Sequence, residues 1–222
     1  MSNGTTVKKR NGRGVEPLNL EKIHVMCEEA CQGLAGVSAS QVEIQSGIQF
    51  YDGITTAEIQ EILIRSASDL IDLDHPNYQF VAARLLLFAL RKQLFGRMRE
   101  CPTVLDHVKK CVNKGVYDAE ILDLYTEEEY NKLQSFIDHS RDFLFTYAGL
   151  RQVVDKYLVQ DRSSGELYET PQFMYLMIAA TIFSKYPKET RLNYVRNYYD
   201  AISRHKINIP TPIMAGVRTP IR

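Results

Sequence analysis

The sequence predicts a mainly α protein carrying two short β-hairpins. Three observations support this. Apolar residues recur at helical spacing through most of the 222 residues, and Ser or Thr followed three residues later by Glu opens several of those runs. Hairpin turn signals cluster at only two places. Apolar residues make up 45% and charged residues 24%, the balance of an ordinary globular chain long enough for one large or two small domains.

Residues 6–19, TVKKRNGRGVEPLN, read as two short strands around a turn, because Asn11-Gly12 tolerates the positive φ of a tight hairpin. Gly14 and Pro17 make the second strand irregular. Four helices follow. Asn19 caps the first, with Leu20, Ile23, Cys27, Ala30, Cys31 and Leu34 on one stripe and Gly36 beyond its end. Ser40 with Glu43 predicts a capping box for the second, which runs through Phe50. Tyr51-Asp52-Gly53 is a turn, and Thr55 with Glu58 repeats the box ahead of the third helix. Asp74 and Pro76 open a long fourth helix with Tyr78, Val81, Leu85, Phe88 and Phe95 facing inward. A hairpin packed on four helices completes a domain over residues 1–98.

Cys101-Pro102 marks the boundary. Beyond it TVLDHVKKCVNKG and AEILDLY read as helices, Thr126 with Glu129 boxes another that runs toward Ile137, and Tyr147 to Tyr157 is a further helix. The stretch YLVQDRSSGELYE (157–169) gives the second hairpin signal, with Ser163-Ser164-Gly165 at its tip. Thr170 caps the next helix and Pro171 takes its first position, where the missing N–H costs nothing. PQFMYLMIAATIFS is apolar nearly all round, so it lies buried in a larger body. It is shorter than the ~20 residues a bilayer span requires. KETRLNYVRNYYDAISRHK closes the region, with Leu192, Val195, Tyr199 and Ile202 toward the core. Residues 99–206 are thus a second, all-helical domain with one hairpin. Residues 207–222, INIPTPIMAGVRTPIR, are apolar and turn-rich, neither a solvated tail nor a periodic helix.

Lys+Arg and Asp+Glu number 27 each, so the net charge is zero. That balance argues against a general binder of nucleic acid or anionic membrane. The segment MSNGTTVKKRNGRG has no apolar core of the signal-peptide kind, and the expected location is cytoplasmic. Cys27 and Cys31 share a helical face without a second pair to complete a zinc site. With Cys101 and Cys111 they read as bystander thiols.

Lys8, Lys9, Arg10 and Arg13 gather at a glycine-bearing turn, with Lys22 one turn into the first helix and Arg91-Lys92 on the fourth. Such cations, with turn N–H groups, suit a polyphosphate. A cation at a helix start opposes the helix dipole, and an anionic ligand there relieves the conflict. A solvated basic hairpin accounts for the same residues equally well. Catalysis has no comparable signal. The five histidines are scattered, no HExxH, GxSxG or Walker loop is present, and YTEEEY (125–130) reads as a solvated first helical turn. No catalytic residue and no metal ligand is assigned.

VKKRNGRGVEPLNLEKI, FYDGITTAEIQEILI and NYQFVAARLLLFALRK closely resemble the ATP-cone domain that begins ribonucleotide reductase large subunits. FIDHSRDFLFTYAGLRQVVDKYLVQDRSSGELYETPQFMYLMIA resembles the all-helical N-terminal domain of the same subunit. INIPTPIMAGVRTPIR resembles the start of its ten-stranded α/β catalytic barrel, the rest of which is missing from these residues. The likeness covers almost the whole chain in order and lies nearest the bacterial and bacteriophage class I alpha subunits.

The resemblance implies an allosteric activity site for ATP as activator and dATP as inhibitor, with Mg. Its contacts fall on Lys9, Arg10, Glu16, Pro17, Leu18, Asn19, Leu20, Glu21, Lys22, Thr56 and Lys92. Members sensitive to dATP often carry histidines where this chain has Gln60 and Ala89, so ATP binding is expected to survive while dATP shut-off is weak or absent. Thr211 is implied to help hold the substrate diphosphate, and the reducing and radical-forming cysteines are implied to lie beyond Arg222. The function implied is that of a ribonucleoside-diphosphate reductase, an oxidoreductase making deoxyribonucleotides for DNA synthesis. Its activity would require a C-terminal piece of the large subunit and a small beta subunit with a di-metal and tyrosyl radical cofactor. The expected reading of the ending is a genetically split subunit that re-forms the enzyme by docking with a second polypeptide, and a truncated chain is its competitor. The alternative is a free-standing ATP-cone nucleotide sensor, although the repressor of that kind needs a four-cysteine zinc ribbon absent here. A decoy docking on a host small subunit is a third, weaker reading, because the small-subunit tail is implied to bind in the missing region.

Overall fold

The computed structural model describes residues 4–9, 14–47, 49–161 and 163–220. The chain divides into two compact units, Met1–Leu90 with Phe145–Arg151, and Arg91–Leu144 with Gln152–Arg222.

The first unit opens with strands β1 (Thr6–Lys8) and β2 (Val15–Pro17), antiparallel with Val7 opposite Glu16. The hairpin tip at Asn11-Gly12 lies outside the described residues. A third strand, β3 (Ile54–Thr55), pairs parallel with β1 and gives the order β2-β1-β3. Two residues are too few for an alternation signal, so the sequence shows a turn and no strand there. Asp52 fixes this join by accepting from both the backbone N–H and the hydroxyl of Thr6, each at 2.7 Å. Gly53, at φ +78°, donates its N–H to Thr6 O. That backbone conformation favours glycine.

Helices α1 (Leu20–Cys31), α2 (Ala39–Gly47), α3 (Thr56–Asp69) and α4 (Tyr78–Phe95) follow. Asn19 accepts from Lys22 N at 3.1 Å and caps α1. Thr55 and Glu58 form the reciprocal capping box of α3. The box expected at Ser40 and Glu43 does not form. Ser40 lies inside α2, and Glu43 instead meets His24 Nδ1 at 2.8 Å, tying α2 to α1. Leu20, expected on the buried stripe of α1, is 53% exposed, and Met26 takes the inner place. From Leu85 to Leu90 every residue of α4 is buried, so it is the unit's central helix. Arg84 reaches back to the carbonyls of Ala30 and Gln32 and satisfies the end of α1.

The second unit contains α5 (Val104–Asn113), α6 (Ile121–Leu124), α7 (Glu127–Phe136), a 3-10 helix (His139–Leu144), and the end of α8 (Tyr147–Lys156). It continues with α9 (Pro171–Phe183), α10 (Lys188–Ser203) and α11 (Thr211–Gly216). Helix α9 is buried on all sides from Pro171 to Ala180, as its uniform apolarity requires. Phe173 stacks on His107 with ring centroids 3.8 Å apart. Burial pushes the His107 imidazole down to about 3, so it stays neutral in this apolar setting. Of the expected inner residues of α10, Val195, Tyr199 and Ile202 are buried and Leu192 only half so. Among the described residues the predicted second hairpin shows one bridge, Gln160 with Leu167, and Val159 N is taken by the Glu169 carboxylate. Segment 207–222 contains α11, a six-residue helix that its prolines hid from periodicity.

Among the described residues, the buried carboxylates Glu169 and Asp142 each anchor a charge network in this unit. Glu169 and Arg218 form an ion pair whose side chains are both 0% exposed. Glu169 also accepts from Tyr117 OH and from Val159 N, while Arg218 donates to the carbonyls of Met214 and Tyr157 at 2.6 and 2.9 Å. In the second network Asp142 accepts from Arg91 Nη2 at 3.0 Å and Gln172 Nε2 at 2.9 Å. Gln172 accepts in turn from Tyr199 OH. Among the described residues no helix is long and apolar enough to cross a membrane.

Removing one partner of a buried pair strands the other charge. Arg218→Met is expected to cost about 3–5 kcal/mol in urea unfolding. The double replacement Glu169→Leu with Arg218→Met is expected to recover part of that loss. Equal losses for the single and double variants would contradict this account.

Candidate functional site

The site begins where β2 runs into α1. Strand β2 brings Glu16 and Pro17 to the edge of the sheet, Leu18 N is tied to Thr5 O at 2.9 Å, and Asn19 starts the helix. Six residues, Glu16, Pro17, Leu18, Asn19, Leu20 and Lys22, line an open cleft of about 480 Å³. This falls within the ~300–1,000 Å³ of small-molecule sites.

Glu16 is the electrostatic centre. Lys9 Nζ lies 2.7 Å from one carboxylate oxygen and Lys22 Nζ 3.5 Å from the other. The hydrogen bond from Lys9, ahead of the field of Lys22, holds the Glu16 carboxyl below its usual range and keeps it ionised. All three side chains keep contact with water, Lys22 at 67% exposure. Exposed pairs of this kind contribute little to stability and exchange partners readily. Two lysines held 2.7 and 3.5 Å from one carboxylate are therefore pre-gathered for a stronger anion. Pro17 and the exposed Leu20 give the cleft an apolar wall.

The predicted residues divide into three groups. Lys9, Glu16, Pro17, Leu18, Asn19, Leu20, Glu21 and Lys22 come together at the start of α1, and Thr56 opens α3 in the same unit. Arg10 lies outside the described residues. Lys92, in the last turn of α4, and Thr211, the first residue of α11, belong to the second unit. Lys8 turns away from this group, its side chain passing Gly53, and helps keep Asp52 and Glu58 ionised. Arg91, expected among the phosphate cations, is instead 5% exposed and committed to His139 O and Asp142. Adjacent helix positions point about 100° apart, so Arg91 can turn inward while its neighbour Lys92 stays half-buried. Gln60 and Ala89 are both buried.

Sequence reasoning missed the residues around Thr211. Tyr157, Glu169 and Arg218 meet through pairs that are 49 and 61 positions apart, a separation that no local pattern reveals. Among the described residues no group of three or more His, Cys, Asp or Glu is placed to hold a metal ion.

Residues 5–93 match the ATP cone domain, and residues 143–222 match the all-alpha domain of ribonucleotide reductase. The chain is 53% identical over 222 residues to ribonucleoside-diphosphate reductase 1 subunit alpha of Escherichia coli strain K12, covering all of this chain and 29% of that protein. The subunit alpha of Haemophilus influenzae is likewise 53% identical over 222 residues, with the same coverage. The subunit alpha of Enterobacteria phage T4 is 46% identical over 189 residues, 84% of this chain and 25% of the phage protein. The chain therefore spans less than a third of the length of these relatives.

Asn19 fixes both the start of α1 and the floor of the cleft. Asn19→Ala is expected to cost about 1 kcal/mol in chemical denaturation through loss of the cap. An unchanged unfolding midpoint would show that the Asn19 cap does not stabilise the helix start.

Proposed function

We propose that this chain, which belongs to the ribonucleotide reductase large-subunit family as its amino-terminal ATP-cone and all-alpha region, is the nucleotide-sensing head of a ribonucleoside-diphosphate reductase. Residues 1–98 form the ATP-cone, 99–206 the helical domain, and 207–222 the start of the catalytic barrel. The assembled enzyme reduces ribonucleotides for DNA synthesis, with its radical supplied by a small subunit. The relatives are more than three times as long as the stretch matched here, so reduction draws on large-subunit residues outside these 222, whether on the same polypeptide or a docked one. Continuous similarity through both domains favours this reading over a free-standing sensor.

The observation that carries the proposal is the Lys9–Glu16–Lys22 group on the cleft at the head of α1. ATP phosphates displace Glu16 from the lysines and also complement the helix dipole. The family resemblance implies further contacts from Arg10, Thr56 and Lys92, and Pro17, Leu18 and Leu20 take the base side. In the second unit the Thr211 hydroxyl holds the substrate diphosphate.

Titration calorimetry tests the nucleotide site. Lys9→Ala and Lys22→Ala are each expected to weaken ATP about tenfold, the typical loss of one charge-assisted contact. ATP affinity unchanged in both variants would remove the assignment.

The second expectation concerns inhibition. With Gln60 and Ala89 in place of histidines, saturating dATP is expected to leave most activity of the assembled enzyme intact. Complete inhibition under those conditions would refute it.

A further inference from the structure

Tyr157 directly follows α8, and its hydroxyl lies 3.4 Å from Thr211 Oγ1, with either oxygen able to donate. Thr211 is exposed and Tyr157 half-buried, so both hydroxyls reach water. Lys156, exposed, is the adjoining cation. The hydrogen bond with Thr211, then one with Gln152 and the charge of Lys156, draw the Tyr157 phenol below its ordinary range.

One buried group places both hydroxyls. Arg218 donates through Nη2 to the carbonyl of Tyr157 itself and through Nη1 to the carbonyl of Met214, three residues after Thr211 in α11. Its charge is matched by Glu169, and neither side chain is exposed. The backbone segments that carry the two hydroxyls are therefore joined through one buried ion pair before any ligand arrives. Preorganisation of this kind lowers the entropy cost of binding. A contact between two solvated hydroxyls contributes little to stability by itself, since water replaces either partner.

We propose that Tyr157 is a second hydroxyl ligand for the diphosphate held by Thr211, with Lys156 as the neighbouring positive charge. This rests on the reading of Thr211 given above. Two O–H donors 3.4 Å apart can turn toward one phosphate oxygen or toward two oxygens of the same group. An anionic acceptor makes both bonds charge-assisted, which favours a diphosphate over an unphosphorylated nucleoside.

The test uses the enzyme assembled from this chain, the remaining large-subunit region and the small subunit. It measures kcat and KM for a ribonucleoside diphosphate, and Ki for inorganic pyrophosphate as competitor. Tyr157→Phe is expected to raise KM and Ki about tenfold each, with kcat changed by less than about twofold and the melting temperature unmoved. Thr211→Val is expected to act in the same direction, and the double variant by less than the product of the two, because the hydroxyls share one ligand. If Thr211→Val raises both constants while Tyr157→Phe leaves them alone, the role of Tyr157 is refuted and that of Thr211 stands. If Thr211→Val changes neither constant, the reading of Thr211 falls and this inference with it. A lower melting temperature with KM and Ki unchanged would make Tyr157 purely structural and overturn the proposal.

Discussion

A charge can be kept inside a protein only when each of its polar atoms is met, and the Glu169–Arg218 pair satisfies that condition. The carboxylate receives the guanidinium, a phenol and a backbone N–H, and the guanidinium also donates to two carbonyls. Desolvating two ions costs several kcal/mol each, and only this completeness offsets it. The geometric consequence exceeds the energetic one. The pair ties the chain just before the start of α9 to the chain just after the end of α11, so a six-residue helix that could not hold itself together is fixed in place.

The lysines of the first unit follow the opposite rule. Lys9, Glu16 and Lys22 remain in water, where an ion pair is screened and its partners are replaceable. Buried pairs make fixtures and exposed pairs make sites, because only the latter can be opened by a ligand at small cost. Arg91 and Lys92, consecutive on α4, differ in burial. The first is locked to Asp142, while the second stays half-buried.

Neutral groups complete the same logic around α9. A helix buried on every side leaves no room for an unpaired charge, and His107 against Phe173 is accordingly neutral. Asp142 is buried as well, and burial raises its carboxyl even though Arg91 and Gln172 oppose the shift. The thiols Cys27 and Cys111 are pushed up to about 12 by the same desolvation, which leaves them inert packing groups.

Local physics in the sequence determined the helices, because periodicity and caps act within a few residues. Asn19, the Thr55–Glu58 box and the Thr126–Glu129 box all stand where spacing placed them. The residues of the cleft at the head of α1 are local for the same reason, since Glu16 to Lys22 are consecutive. Tertiary structure alone decided the rest. It diverted Glu43 from its expected box to His24, withdrew Arg91 into a buried pair, and left Leu20 facing the cleft. It also joined Tyr157, Glu169, Thr211 and Arg218 across tens of residues. A side chain's partner is set by whichever distant group can desolvate it at least cost, and neighbours in sequence carry no record of that competition.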